Sequence, residues 1–315
     1  MTALALLAVA SAWLLGGLAV SVLWPRNRAL RDDLPLILAL GMGVGFGLTS
    51  TLFFFASLVG DHPLQISLPA EGLLLLGLTG WLRGRRAGAQ ATPRPLRRYS
   101  WLELGLATLF VQASLIALLV TFRAYSAEPY GSWDGWAIWN LHARMLFRGG
   151  GGWWTMLRQP AIAWSHLDYP LLVPASVARA WAFTGTDAPA VAALVSTCFG
   201  IATVWLLVAA AAKFCPPAVA LTSGLLLLGT PFFVTFSSNE HADIPLGFFM
   251  LAAVVLITLS SQTPESRGLP ALAGVVTGLA AWTKNEGLLF AAIVALVWTI
   301  LTIRRQPARA AHGFW

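Results

Sequence analysis

Repeated apolar runs of about 20 residues constrain the fold of this chain more than any other feature of its sequence. A helix needs roughly 20 apolar residues to cross the ~30 Å hydrocarbon core of a bilayer. Only 10% of the 315 residues are charged, whereas a soluble domain carries roughly a quarter. The sequence therefore predicts an all-α, polytopic membrane protein. About nine spans are expected, near residues 3–24, 34–59, 68–82, 101–122, 188–211, 217–236, 244–260, 269–282 and 287–303.

The net charge and the cysteines do not change this assignment. A charge of +7 is compatible with nucleic-acid binding, but the basic residues lie in short segments between apolar runs, so no nucleic-acid partner is expected. Cys198 and Cys215 fall in or beside apolar runs. They are interpreted as small core residues rather than as a disulfide.

The basic residues predict which loops face the cytoplasm, because cytoplasmic loops are enriched in lysine and arginine. If the spans alternate and the first loop is cytoplasmic, only six of the 20 basic residues lie outside: Arg123, Arg144, Arg148, Arg158, Arg179 and Lys284. This topology requires the apolar segment 169–183, which contains Arg179, to lie at the interface or dip into it. Treated as a full span, that segment would reverse every later loop and move Arg304 and Arg305 outside.

Three regions follow from this topology. Residues 1–100 hold three spans and a basic cytoplasmic loop, residues 101–303 form the main membrane core, and residues 304–315 form a short cytoplasmic tail. A long outer loop over residues 123–187 is expected to contain juxtamembrane helices. The outer face collects most of the acidic residues and four of the five histidines, so any chemistry is expected on that side.

The segment Tyr130–Arg148, YGSWDGWAIWNLHARMLFR, is the most unusual part of the outer loop. Asp134 lies between Trp133 and Trp136. A carboxylate among tryptophans at a membrane surface is partly desolvated and therefore a better base than in water. Asp134 is thus a candidate general base. The alternative is structural: Ser132 or Asp134 caps the helix that follows.

A second polar stretch, Asn239–Asp243, precedes an apolar run. Glu240 and Asp243 are three residues apart, so both are predicted on one helical face. His241 adds a metal ligand, although this spacing is unspecific. In the structural alternative, Asn239 caps the next helix and the acids favour its N-terminus.

The third stretch, Trp282–Gly287, places Lys284 at the outer end of short apolar helices, against the positive-inside pattern. A bound phosphate would explain such a lysine. Alternatively, Lys284 extends to the surface and pairs with Glu286.

The fourth stretch, Ser165–Leu172, contains His166 and Asp168, which are candidate sugar ligands or caps for the following helix. In the outer loop, Arg144 and Arg148 share one helical face. They are expected to clamp a phosphate or to contact lipid head groups.

Taken in order, the segments SWDGWAIWNLHARM, DYPLL, HADIPLGFF and WTKNEGLL resemble the motifs of the GT-C membrane glycosyltransferases. The nearest resemblance is to the bacterial family-39-like branch, which includes protein mannosyltransferases, aminoarabinose transferases of lipid A and galacturonosyltransferases of lipopolysaccharide. The resemblance covers about residues 101–303. It implies a multi-pass protein of the bacterial inner membrane whose active face is periplasmic or extracellular.

The resemblance also implies an activity. A sugar would move, with inversion, from a polyprenyl-phosphate carrier to a lipid, glycan or protein acceptor. Asp134 and Asp243 would match the catalytic acids, and they would bind a divalent metal where the branch uses one. Lys284 would match the lysine near the carrier phosphate, with Arg144 as a weaker candidate. His166, Asp168, Glu240 and His241 are further candidate substrate ligands.

Two departures from the family pattern keep other functions open. Three spans precede the family-like core, and the sequence ends soon after the ninth apolar run. We therefore expect a short member, a truncated chain or one that a partner completes. The alternatives are a transporter or flippase of lipid-linked substrates, which would carry mid-span charges and related halves, and a non-catalytic envelope assembly protein.

Overall fold

Helices make up most of the structure, a computed structural model that describes residues 2–26, 30–86 and 99–312. No strand occurs in these ranges, so the all-α prediction is confirmed. The described residues form thirteen α-helices: α1 (Thr2–Leu23), α2 (Leu34–Val59), α3 (Pro63–Arg86), α4 (Trp101–Ala127), α5 (Asn140–Arg148), α6 (Trp153–Leu157), α7 (Leu172–Thr184), α8 (Pro189–Phe214), α9 (Pro217–Leu228), α10 (Pro231–Phe236), α11 (Asp243–Ser261), α12 (Gly268–Thr283) and α13 (Asn285–His312).

Within the described ranges, five helices are long and apolar enough to cross a membrane: α1, α2, α4, α8 and α11. Helices α9 and α12 and the first part of α13, Asn285–Ile300, are apolar but shorter. Helix α3 is 24 residues long but carries Glu71 in its first half. The polytopic character of the chain is confirmed, while the total of nine spans stays a prediction.

The predicted sixth span, residues 217–236, is not one helix. Helix α9 ends at Leu228, and α10 begins at Pro231 after a short break. Proline lacks the backbone N–H that a continuing helix would need, and its ring clashes with the preceding turn. The apolar run is therefore continuous in sequence but divided in structure.

Contacts between loops sort the helix connections into two ends of the bundle. At one end, the Lys213 ammonium in the last turn of α8 contacts the Asp33 carboxylate and, at 2.8 Å, donates to the Asp32 carbonyl between α1 and α2. At the other end, Asp61 after α2 accepts a hydrogen bond from the Gly151 N–H at 2.6 Å. We call this second end the polar end; the contacts described below add residues 131–148, 165–169, 239–243 and 284–286 to it.

Which end faces the cytoplasm stays a prediction. Four of the basic residues on which the prediction depends lie outside the described residues: Arg28, Arg94, Arg97 and Arg98. Residues 313–315 of the expected tail also lie outside them. Helix α13 continues through residue 304, where the tail was expected to begin.

Helix α7 corrects one expectation for the outer loop. Its thirteen residues span only about 20 Å, too short to cross the hydrocarbon core. However, α7 does not lie on the surface, because Leu172–Trp181 are all buried and pack against α1, α2 and α5. The residues before and after α7 both return to the segment that contains α5. Tyr169 stacks on Trp139, and Asp187 pairs with Arg144.

The burial of α7 depends on one ion pair. Arg179 donates to both carboxylate oxygens of Glu71 in α3, at 2.7 and 2.5 Å. It also donates to the Ala8 carbonyl and the Ser11 hydroxyl of α1, at 2.9 and 3.0 Å. Arg179 is thus a buried link between α7 and the N-terminal helices rather than a surface cation.

Candidate functional site

Asp134 lies in the first turn of a helical segment that continues as the π-helix Gly135–Trp139 and then as α5. Its side chain is half-buried and makes no capping hydrogen bond. Trp133 and Trp136 flank it and pack edge to face, with their ring centroids 4.8 Å apart. The capping alternative is therefore not supported for Asp134. π-Helical turns are frequent at functional sites because they re-aim side chains.

Two glycines bring the segment 239–241 against the Asp134 turn. A Cβ atom on Gly131 or Gly135 would lie 2.6 or 2.5 Å from the carbonyl oxygen of Asn239. Gly131 also has a φ of +75°, a conformation that favours glycine. Close to this contact, the Ser132 hydroxyl hydrogen-bonds to Nε2 of His241. The predicted Asp134 and Asn239–Asp243 motifs therefore share one site.

Glu240 does not share a helical face with Asp243, contrary to the prediction. Helix α11 begins at Asp243 with Ala242, not Asn239, at its cap position. Glu240 precedes the helix in a left-handed conformation, with φ +62°. Its side chain is buried and accepts a hydrogen bond from the Asn140 amide of α5. The left-handed residue directs Glu240 towards α5.

Burial raises the pKa of Glu240 to about 8, although the Asn140 hydrogen bond and the positive charge of Arg144 oppose this effect. The carboxyl group is therefore mostly neutral at pH 7. Burying a charged carboxylate away from water is costly, so Glu240 retains its proton.

The Glu240→Gln variant is expected to change how stability depends on pH. The folded pKa of Glu240 lies above the unfolded value, so its stabilising contribution is full below about pH 4.5 and is lost as pH rises through 8. Glutamine does not titrate, so the variant should gain stability relative to the parent protein between pH 5 and pH 9. Thermal unfolding in detergent across this range measures the difference. A difference that is constant with pH would contradict the prediction.

Asp243 and Glu286 hold Lys284 between them. The Lys284 ammonium lies 3.0 Å from Asp243 Oδ1 and 3.3 Å from Glu286 Oε1. Burial lowers the pKa of Lys284, but the hydrogen bond and charge of Asp243, together with Glu286, outweigh it and leave the pKa raised. Nδ1 of His241 lies 3.7 Å from the second Asp243 oxygen. Lys284 is therefore a charged ammonium at the centre of a polar cluster.

Aromatic rings complete the site next to Lys284. Tyr169 stacks on Trp139 on one side and on His166 on the other, with centroid separations of 5.2 and 4.8 Å. The Lys284 ammonium lies 6.0 Å from the centre of the Tyr169 ring. Asp168, before Tyr169, accepts a hydrogen bond from the Asn285 amide at 2.5 Å. The predicted His166–Asp168 motif thus lies beside the lysine turn and does not cap α7, which begins after Leu171.

Burial and the charged side chains near this stack shift the pKa of Tyr169. Burial raises the pKa of the phenol, the charge of Lys284 lowers it, and the carboxylates of Glu286, Asp168 and Asp134 raise it, for a net increase. Asp134 and Lys284 therefore both lie within electrostatic range of the same phenol. The structure brings Asp134, His166, Asp168, His241, Asp243 and Lys284 to one polar end.

Arg144 does not join the Lys284 cluster. Its guanidinium donates from Nε to Asp187 at 3.2 Å, and Arg148 donates to the same oxygen. Arg144 also lies over the rings of Tyr130 and Trp181. None of these partners contacts Lys284, so a shared role for Arg144 and Lys284 on one phosphate stays a prediction.

The sequence left open whether a metal binds at Asp134 and Asp243, and the described residues do not favour such a site. They contain no group of three or more His, Cys, Asp or Glu side chains placed to hold a metal ion. The nearest partner of Asp243 is the Lys284 ammonium, a cation that would repel a divalent ion at this carboxylate. No catalytic step is therefore assigned to a metal.

Five residues that contribute to the site or border it were not identified from the sequence: Gly131, Gly135, Asn140, Asn285 and Asp187. Gly131 and Gly135 flank the Asp134 motif, and glycines on both sides of an acid are a signal of close backbone approach. Asn140 and Asn285 are polar residues at helix starts whose partners are distant in sequence, so no local pattern identifies them. Asp187 lies between two apolar helices, opposite arginines placed about 40 residues earlier.

Comparison with known proteins links part of this site to a family. Residues 168–312 match the family described as dolichyl-phosphate-mannose-protein mannosyltransferase. No curated protein matches the chain, and no solved structure matches it. The matched region contains Asp168, His241, Asp243 and Lys284 but not Asp134. The Ser132–His241 and Asn140–Glu240 contacts connect the Asp134 segment to it.

The family match agrees with the order of the sequence motifs and with the helical membrane fold. It covers 145 of the 315 residues, all within the second half of the chain, and three of the four motifs lie there. Residues 168–312 of this polytopic helical protein thus resemble a family of membrane glycosyltransferases of the GT-C type.

Proposed function

We propose that the protein transfers a sugar from a polyprenyl-phosphate carrier to an envelope lipid, glycan or protein acceptor, on the outer side of the bacterial inner membrane. The observation that carries the proposal is the convergence of Asp134, Asp243 and Lys284 at one end of the helix bundle. A transferase needs a base for its acceptor and a cation for its leaving group at one surface. The family match supports the lipid-linked donor.

Asp134 is the proposed general base. Its carboxylate would accept the proton of an acceptor hydroxyl or amine, whose lone pair then attacks the anomeric carbon of the donor sugar. The bond from that carbon to the carrier phosphate breaks, and the phosphate oxygen keeps the electron pair. Direct displacement of this kind inverts the anomeric configuration. The half-buried position of Asp134 among tryptophans limits competition from water.

Lys284 is the proposed cation for the carrier phosphate. Its ammonium is charged and only 14% exposed, which strengthens its electrostatic interactions relative to bulk water. Asp243 is the positioning residue, because it holds the ammonium at 3.0 Å from α11. Glu286 is 55% exposed and is therefore the carboxylate that a phosphate would displace from Lys284.

Two substitutions at this cluster are expected to act in opposite directions on donor binding. Lys284→Met removes the cation and should weaken polyprenyl-phosphate binding roughly tenfold or more, because hydrogen bonds to charged groups contribute ~1.5–3 kcal/mol. Glu286→Gln removes a competing carboxylate and should tighten binding by up to about fivefold, the range of exposed ion pairs. Titration of the purified chain in detergent with polyprenyl phosphate measures both effects.

Polyprenol without the phosphate is the matched ligand control. Its affinity should be the same for the parent protein and both variants, because neither variant alters the apolar surface. If the parent protein bound polyprenol as tightly as polyprenyl phosphate, the proposed donor site would be wrong. The assigned roles would also be contradicted if Lys284→Met and Glu286→Gln changed the affinity for polyprenyl phosphate in the same direction.

A further inference from the structure

A polar cavity lies beside the proposed transferase site. Its volume is about 690 Å³, and it opens between α5 and the start of α8. The residues that give it chemical character are Tyr130, Trp136, Arg144, Arg148 and Asp187. This volume lies in the range of small-molecule sites, roughly 300–1,000 Å³. Apart from Trp136, which also flanks Asp134, the proposed sugar transfer does not use these residues.

The two arginines form a cationic fork on one face of α5. They are four residues apart, and both donate to one oxygen of Asp187. A single carboxylate neutralises only one of the two guanidinium groups. Each guanidinium has five N–H donors in a planar arrangement, and Asp187 engages the Nε of Arg144 and one terminal nitrogen of Arg148. The remaining donors suit a phosphate or carboxylate, which arginine binds in bidentate geometry.

Two aromatic rings line the same cavity. Tyr130 is 55% exposed and Trp136 is 41% exposed, so both rings present accessible surface. The guanidinium of Arg144 lies 5.8 Å from the centre of the Tyr130 ring, which places charge and aromatic surface in the same contact. Apolar faces of sugar rings pack against such aromatic surfaces. An aromatic surface next to a cationic fork is complementary to a saccharide that carries an anionic group.

The cavity adjoins the proposed base through a short chain of contacts. Asn140, one turn before Arg144 in α5, donates to Glu240, and the next residue, His241, contacts Ser132. The charge of Arg144 also acts on Glu240. The Asn140–Glu240 pair therefore links the helix of the arginine fork to the segment that carries Asp134.

We propose that this cavity binds an anionic saccharide, a sugar bearing phosphate or carboxylate, as part of the acceptor. This inference rests on the proposed transferase function and adds the chemical class of the acceptor. The fork holds the anionic group, and the aromatic rings orient the sugar so that a neighbouring hydroxyl or amine of the acceptor reaches Asp134. The carrier phosphate remains with Lys284.

Ligand titration of the full chain in detergent tests the proposal. The probes are glucose 1-phosphate, glucose and inorganic phosphate, and isothermal titration calorimetry measures binding. Glucose 1-phosphate is expected to bind more tightly than either single component. Arg144→Gln and Arg148→Gln should each weaken its binding about tenfold or more. Trp136→Ala should weaken the binding of glucose 1-phosphate but not the binding of inorganic phosphate.

Arg158→Gln is the matched control, because Arg158 is another exposed outer-loop arginine packed over a tryptophan. It should bind glucose 1-phosphate like the parent protein. Equal affinity in Arg144→Gln, Arg148→Gln and Arg158→Gln would overturn the proposal. The side chain of Arg148 is 60% exposed, so its substitution retains the fold and keeps the test valid if Arg144→Gln fails to fold.

A phospholipid head group offers similar chemistry, and one further measurement separates the two sources. Phosphatidylglycerol micelles should leave glucose 1-phosphate binding unchanged, whereas displacement would assign the cavity to lipid and overturn the proposal. The Asp134→Asn variant should bind glucose 1-phosphate like the parent protein. Arginine-dependent binding without any sugar transfer would therefore reject the proposed function alone, and transfer without such binding would reject the acceptor site alone.

Discussion

Replacing Asp134 with asparagine is expected to lower the rate of sugar transfer roughly 10²- to 10⁴-fold, the usual contribution of a positioned general base. Asparagine matches aspartate in shape but cannot accept the acceptor proton. The half-buried side chain makes no capping hydrogen bond, so its loss as a base leaves the helix start intact. Transfer of radiolabelled mannose from a polyprenyl-phosphate carrier to acceptors in a membrane extract measures the effect.

Two controls separate loss of the base from loss of the site. Glu128→Gln changes an exposed carboxylate shortly before Asp134 and should transfer sugar at the parent rate. Asp134→Asn should bind polyprenyl phosphate as tightly as the parent protein, because Lys284 is unchanged. Parent-like transfer by Asp134→Asn would show that the base lies elsewhere. Weakened donor binding would show that Asp134 supports the fold of the site.

Local features of the sequence predict the helices well. Apolar runs identify α1, α2, α4, α8 and α11 because a membrane-spanning helix must bury or shield about 20 successive residues. The same reasoning fails at α9 and α10, where hydropathy stays high but Pro231 interrupts the hydrogen-bond ladder. Apolar runs predict which segments of the chain lie within the membrane. Whether such a segment forms one continuous helix depends on residues such as proline that interrupt the backbone hydrogen bonds.

The polar motifs were found for a different physical reason. Asp134, Asp243 and Lys284 are conspicuous because ionisable groups beside apolar runs are costly and need partners. The sequence shows that these ionisable groups need partners, but it does not show which residues the partners are. Pairing of Lys284 with Glu286 was the structural alternative to a phosphate site, and the structure adds Asp243, 41 residues away. Glu240 was placed with Asp243 by helical spacing, but its left-handed backbone turns it towards Asn140.

Helix α7 shows the same limit at the level of a whole element. Segment 169–183 was expected to lie at the interface or to dip into it, because it is short and contains Arg179. The partner, Glu71, lies 108 residues earlier in α3, beyond any local pattern. A buried arginine is compatible with the interior only when its charge and donors are satisfied, and here Glu71, Ala8 and Ser11 satisfy them.

Replacing Arg179 with methionine is therefore expected to destabilise the protein by about 3–5 kcal/mol, the cost of leaving one member of a buried ion pair uncompensated. Methionine retains the apolar stem of arginine but lacks the guanidinium, so the main loss is charge pairing with Glu71, which is itself only 6% exposed. The free energy of unfolding, measured by titrating detergent-solubilised protein with SDS, should fall by this amount. Arg158→Met, at an exposed arginine, should leave it nearly unchanged.

The double variant Arg179→Met/Glu71→Leu separates the cost of an unpaired charge from the value of the pair itself. Apolar replacement of a complete buried ion pair is often neutral or stabilising, so the double variant should recover most of the stability lost in Arg179→Met. Because α7 connects the Tyr169 stack to Asp187, sugar transfer should recover in parallel. If the double variant stayed as unstable as Arg179→Met, the ion pair would not be the link that holds α7 among the N-terminal helices.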